Sequence, residues 1–95
     1  MPVRVVLPVA FQKHTNNVRE IACTVTSLAG LVTDIEYRFP ALRPHLRAED
    51  GHIQPFLHFH VNGQDIRLLG NENYAFKDGD TVEVMLPIPG ESTPG

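Results

Sequence analysis

His58 and His60 lie two apart in an alternating apolar run, with His52 a little upstream. On a strand, positions two apart project to one face, where two imidazoles could present nitrogens to zinc or copper. A metal needs more convergent ligands than two. Neither motif spacing nor a cysteine partner supplies them, so the pair reads as part of a solvated sheet face and no metal is expected. Cys23, the one cysteine, sits in the segment Val18–Thr24 without an adjacent histidine and reads as a buried thiol rather than a nucleophile. Asp34 with Glu36, and Asp78 with Asp80, are paired carboxylates by spacing, but helix-surface and turn chemistry accounts for them. Ser27 has no triad partners, and no glycine-rich phosphate loop is present, so no cofactor is expected on this chain and any ATP would belong to a partner.

The remaining chemistry is at the end of the sequence. An apolar strand, Thr81–Ile88, runs into Pro89-Gly90-Glu91-Ser92-Thr93-Pro94-Gly95. That pattern predicts a structured body over residues 1–88 and a flexible tail over 89–95, with the terminal carboxylate held out in solvent.

Ninety-five residues make one domain, and a chain of that size hides only about two-thirds of its unfolded surface. A core and a deep catalytic cleft do not both fit, which argues against an enzyme. Hydrophobic residues at 42% and charged residues at 20% are globular values that exclude wholesale disorder. The net charge of −3, with scattered Lys and Arg, gives no basic footprint for nucleic acid. No membrane-length apolar run or signal peptide is read, and one cysteine cannot form an internal disulfide; the expected setting is a reducing cytoplasm.

The elements that must position these residues follow from periodicity. Val3, Val5, Leu7 and Val9 alternate with Arg4, Val6 and Pro8 as in a strand with one buried face. Gln12–Asn17 is turn-like, and Val18–Thr24 completes a hairpin. Val25, Leu28, Val32, Ile35 and Phe39 then recur at helical spacing, with Thr26 or Ser27 as N-cap and Pro40 as terminator. Ala41–Gln54 reads as a connection across the sheet edge. Leu57, Phe59 and Val61 point one way and Phe56, His58 and His60 the other, before an Asn62-Gly63 tight turn. Ile66–Leu69 is expected as a short strand and Gly70–Phe76 as loop. Lys77-Asp78-Gly79-Asp80 then turns into a last strand with Val82, Val84 and Leu86 on one side.

The order ββαβββ predicts an α+β fold of the β-grasp, ubiquitin-like type: a mixed sheet of four to five strands on one main helix, with first and last strands adjacent in the middle. By parity, the open face carries Arg4, Val6, Phe56, His58, His60, Glu83 and Met85. Val6, Phe56, His58, His60 and Met85, with Pro87 beside the tail, are the expected partner-binding residues.

Val61-Asn62-Gly63-Gln64-Asp65-Ile66-Arg67, Lys77-Asp78-Gly79-Asp80-Thr81-Val82, the Phe39-Pro40-Ala41-Leu42 helix exit and the Pro87-containing end resemble the MoaD/ThiS sulfur carriers over nearly the whole chain. The resemblance implies that an E1-like enzyme adenylates the terminal glycine of a Gly-Gly tail with ATP. A sulfur donor would then make a thiocarboxylate that a sulfur-accepting synthase consumes, in molybdopterin, thiamine, cysteine or related biosynthesis. Membrane and nucleic acid are not among the implied partners.

The tail departs from that pattern. Counted without gaps from Asp78-Gly79-Asp80, Gly90 falls on the penultimate glycine, Glu91 on the terminal one, and Ser92–Gly95 follow. Three accounts stand open: a protease trims the tail after Gly90, Gly95 is itself the reactive end, or the domain is a noncatalytic interaction module that has lost carrier chemistry. The extra residues add about 13 Å of reach at roughly 3.3 Å each. A channel fitted to the usual tail would not meet Gly95 unless the body docked farther out.

Overall fold

The computed structural model describes residues 2–87; the expected tail positions Gly90, Glu91 and Gly95 lie outside them. Strand β1 (Val3–Val6) buries Val3 and Val5 and turns Arg4 outward, as its alternation requires. The strand stops before Pro8, which has no N–H to donate to a ladder. Val9, expected on the inward side of a longer strand, is instead 70% exposed at the start of a 3-10 turn, Val9–His14, and Phe11 takes the core position. The turn-like reading from Gln12 onward therefore covers the second half of a helical turn. Thr15 closes it, its buried hydroxyl donating to the Val18 carbonyl at 2.9 Å.

Strand β2 (Glu20–Cys23) is shorter than the alternation suggested and pairs antiparallel with β1. Helix α1 (Leu28–Arg38) is capped by Ser27, whose Oγ accepts from the Gly30 N–H at 3.2 Å. Its last turn closes with the Phe39 N–H on the Ile35 carbonyl, and Pro40 prevents continuation. Leu28, Leu31, Val32 and Ile35 form the buried stripe of α1, packed in one core with Val5, Phe59, Val82 and Val84.

The connection after α1 has structure of its own. A 3-10 turn, Pro40–Leu42, leads into a single helical turn, α2 (Arg43–Leu46), which buries Leu42 and Leu46. Arg47 fastens this segment. Its Nε donates to Glu36 at 2.6 Å, its Nη1 to the Gly51 carbonyl at 2.9 Å and its Nη2 to Thr33 at 3.2 Å.

Strand β3 (His58–Val61) alternates as read, and Asn62 and Gly63, with φ of 51° and 88°, form the tight turn into β4 (Gln64–Asp65). The strand expected over Ile66–Leu69 is a 3-10 turn. Asp65 causes the change: its carboxylate accepts from the Arg67 N–H at 2.9 Å, winding the chain into a helical turn and leaving Leu68 81% exposed. Another 3-10 turn, Asn71–Asn73, precedes β5 (Thr81–Met85).

The five strands lie in the order β2-β1-β5-β3-β4. Only β1 and β5 are parallel, and they sit side by side within the sheet, the arrangement expected of a β-grasp fold. The helix covers one face. Across the other, the register aligns Glu20, Val6, Glu83, His60 and Asp65 in one row spanning all five strands.

Candidate functional site

The open face ends in an apolar groove. Val6 closes β1, the turn it feeds contributes Pro8, Val9 and Ala10, and Phe56 approaches from the segment before β3. Met85, Leu86 and Pro87 complete the wall as β5 runs out. The groove holds about 630 Å³. Phe56 and Met85 are 41% and 42% exposed, so two large apolar side chains stand half in water without a covering element among the described residues.

Two charged residues border this apolar floor, Arg19 beside the start of β2 and Glu83 on β5. The Leu7 N–H donates to the Arg19 carbonyl at 2.7 Å, which fixes Arg19 against the end of β1. Elsewhere on the same face, charges are closed into pairs. Arg4 clasps Glu20 at 2.6 Å, and that hydrogen-bonded contact holds the Glu20 carboxyl below its ordinary range. Arg67 clasps Asp65 at 2.6 Å and holds its carboxyl well below the usual carboxylate range.

Of the residues read from the sequence as partner-binding, Val6, Phe56, Met85 and Pro87 come together in the groove. His58 and His60 share the face but do not line it. His58 is opposite Met85 in the register, its Nδ1 3.4 Å from Arg67 Nη2, and His60 lies between Glu83 and Asp65. His52 does not join them; its Nδ1 is 3.1 Å from Asp50. Among the described residues, no group of three His, Cys, Asp or Glu is arranged to hold a metal ion.

The other reactive side chains are structural. Burial and a hydrogen bond to Asp34 push the Cys23 thiol up to about 12, leaving it protonated and unreactive at neutral pH. Asp34 pairs with Arg38 at 3.2 Å and Glu36 with Arg47, while Ser27 caps α1. Asp80 is turned inward and Asp78 outward, so the two carboxylates do not converge.

Pro8, Val9, Ala10 and Arg19 belong to the groove but were not read as site residues. Strict parity sends Val9 into the core. The available signal was Pro8, which ends the ladder and frees the next residue from the alternation.

The sequence model of the ThiS family matches residues 7–90. The chain belongs to the ThiS family. Sulfur carrier protein CysO of Mycobacterium tuberculosis and that of Mycobacterium bovis are each 25% identical over 92 residues, spanning 95% of this chain and 99% of the relative. The crystal structure of the Amycolatopsis orientalis BexX/CysO complex contains a chain that matches with a TM-score of 0.80 at 25% identity, covering 93% of this chain and 98% of that one. Small archaeal modifier protein 1 of Methanosarcina acetivorans matches with a TM-score of 0.79 at 19% identity, over 93% and 94% of the two chains, and shares the fold.

The ThiS family match makes the chain a carrier-type protein and not an enzyme. The CysO name points to neither molybdopterin nor thiamine, so those two pathways draw no support from these relatives. Among the described residues, no helix is long and apolar enough to cross a membrane. The ThiS match stops at Gly90, directly before Glu91.

Proposed function

We propose that this ThiS-family chain is a sulfur carrier that docks through its groove and is activated at its C-terminal carboxylate. In this reading an E1-like enzyme presents ATP, and a carboxylate oxygen attacks the α-phosphorus to give an acyl adenylate and pyrophosphate. A sulfur donor displaces AMP, forming the thiocarboxylate that a sulfur-accepting synthase then uses. The carrier supplies no acid or base. It supplies an acyl group on a narrow backbone, because glycines lack the Cβ that would obstruct an enzyme channel.

The observation that carries this reading is positional. The family match continues to Gly90, and the last described residues before it, Leu86 and Pro87, form the wall of the groove. A partner seated there lies at the root of the segment it would modify. Glu91 stands where a Gly-Gly tail would have its terminal glycine and Ser92–Gly95 extend past it, so a protease would trim the tail after Gly90 before activation.

Glu91 also favours a second reading, an interaction module that keeps the docking groove and has lost the acyl chemistry. Pyrophosphate exchange with the E1-like enzyme from the same organism separates the two. A chain carrying Glu91→Gly and ending there, with Ser92–Gly95 deleted, should be adenylated, and the full-length chain should be poor by comparison. Adenylation of full-length protein at Gly95 with equal efficiency would refute masking. Binding of both forms without adenylation of either would leave the module.

A further inference from the structure

The open sheet face has three chemically distinct regions. Toward β2, Arg4 and Glu20 satisfy each other, and toward β4, Asp65 and Arg67 do the same. At the groove, Arg19 and Glu83 make no ion pair and no side-chain hydrogen bond with any described residue, although Arg19, next to Glu20 at the β2 edge, also acts on that carboxylate through space. They are opposite in sign and stand on either side of β1. Arg19 is held against Leu7 from the β2 side, and Glu83 is beside Val6 from the β5 side. The groove thus has an apolar floor with a cation rooted on its β2 side and an anion on its β5 side, in an order set by the sheet.

We propose that this order is a recognition code: the groove accepts a protein partner that presents an apolar anchor between a carboxylate facing Arg19 and a Lys or Arg facing Glu83. The inference rests on the docking role proposed above and names the chemistry of the partner. Apolar contact supplies affinity but discriminates weakly between apolar surfaces. A reversed charge facing Arg19 or Glu83 repels, and so rejects the wrong partner and the wrong orientation.

A second copy of this chain is the competing occupant, since a two-fold arrangement would set Arg19 of one copy against Glu83 of the other. A stable dimer needs about 800 Å² from each copy. Here the apolar part is confined to one end of a face whose remaining charges are already paired, and covering those pairs gains little. A different protein that also reaches the tail is the better fit.

The test uses the full-length chain and the E1-like activating enzyme from the same organism, with affinity measured by calorimetry for Arg19→Glu, Glu83→Lys, the double exchange and Met85→Asp. Arg19 and Glu83 are surface residues, and unchanged thermal melting confirms that each variant folds. Each single reversal should weaken binding about tenfold, with an altered salt dependence. The double exchange restores net charge but not order, so it should remain at least about tenfold weak. A double exchange that binds like wild type while Met85→Asp does not bind overturns the code and leaves groove docking intact. Wild-type affinity in Met85→Asp overturns both. Sedimentation covers the second copy: a dimer lost in each single variant and regained in the double exchange identifies self-association and overturns the proposal.

Discussion

The Asn62 side chain bridges two turns through Asp80. Its Nδ2 donates to Asp80 Oδ1 at 2.9 Å while its Oδ1 accepts from the Thr81 N–H at 3.0 Å. The other Asp80 oxygen accepts from Tyr74 Oη at 2.8 Å and from the Lys77 N–H at 2.9 Å. One buried carboxylate therefore ties the β3–β4 turn to the loop before β5, and Asn62 extends the link to the first residue of β5. Burial pulls the Asp80 carboxyl upward, but the hydrogen bonds from Lys77, Asn62 and Tyr74 outweigh it and hold the group below its ordinary value.

Asp80→Ala strands those three donors and should cost about 2–3 kcal/mol of stability by urea unfolding. The sign of the pH effect follows from the lowered folded value. The contribution is present above the unfolded carboxylate range of about 4 and drains away as pH falls through the folded value. Urea midpoints measured from pH 6 down to pH 2 should fall more steeply for wild type than for Asp80→Asn. Identical slopes would show that Asp80 is not the titrating link.

Val84 and Met85 are neighbours on β5 with opposite duties. Val84 is buried in the core and Met85 stands in the groove. Val84→Asp should unfold or severely destabilise the chain, by about 3 kcal/mol or more, through an unpaired buried charge. Met85→Asp should leave the unfolding midpoint within about 0.5 kcal/mol. A Met85→Asp variant as unstable as Val84→Asp would place Met85 in the core.

Arg47 makes contacts from three separate guanidinium nitrogens, a geometry an ammonium cannot copy. Arg47→Lys should therefore lose most of what Arg47→Ala loses, about 1–3 kcal/mol. Hydrogen exchange should localise the loosening to residues 47–53. Full retention of stability in Arg47→Lys would mean that charge alone holds the segment.

Cys23 should resist thiol reagents in the folded protein at pH 8, because its thiol is buried and pushed up to about 12. Labelling followed by mass should show modification only after urea is added. Rapid labelling of native protein would contradict the burial.

For His58 and His60, titration with zinc should give no stoichiometric tight binding. One tight zinc per chain, lost in His58→Ala, would establish a metal site on the sheet face.

The β-grasp order was legible because its strands and helix carry clean periodicities. Val3 and Val5, the Leu28–Ile35 stripe, Phe59 with Val61, and Val82 with Val84 are all buried where alternation or helical spacing puts them. The errors lie where a single side chain competes with the pattern. Asp65 hydrogen-bonds the backbone at Arg67 and converts an apolar run that looks like a strand into a 3-10 turn. Pro8 ends β1 early and reverses the fate of Val9. The groove was half legible, because Val6 and Met85 follow from parity. Arg19 and Ala10 reach it only through the loop path after β1, which no periodicity encodes.

The β1–β5 pairing sets Val5 against Val82, so the middle of the sheet joins residues from nearly opposite ends of the chain. Closing so long a loop is entropically late, and the groove, built from Val6 on one strand and Met85 on the other, exists only after that closure. A partly folded chain displays apolar surface but never this combination. An enzyme that reads the groove before touching the tail would thereby inspect its cargo, passing over unfinished chains without any separate quality-control step.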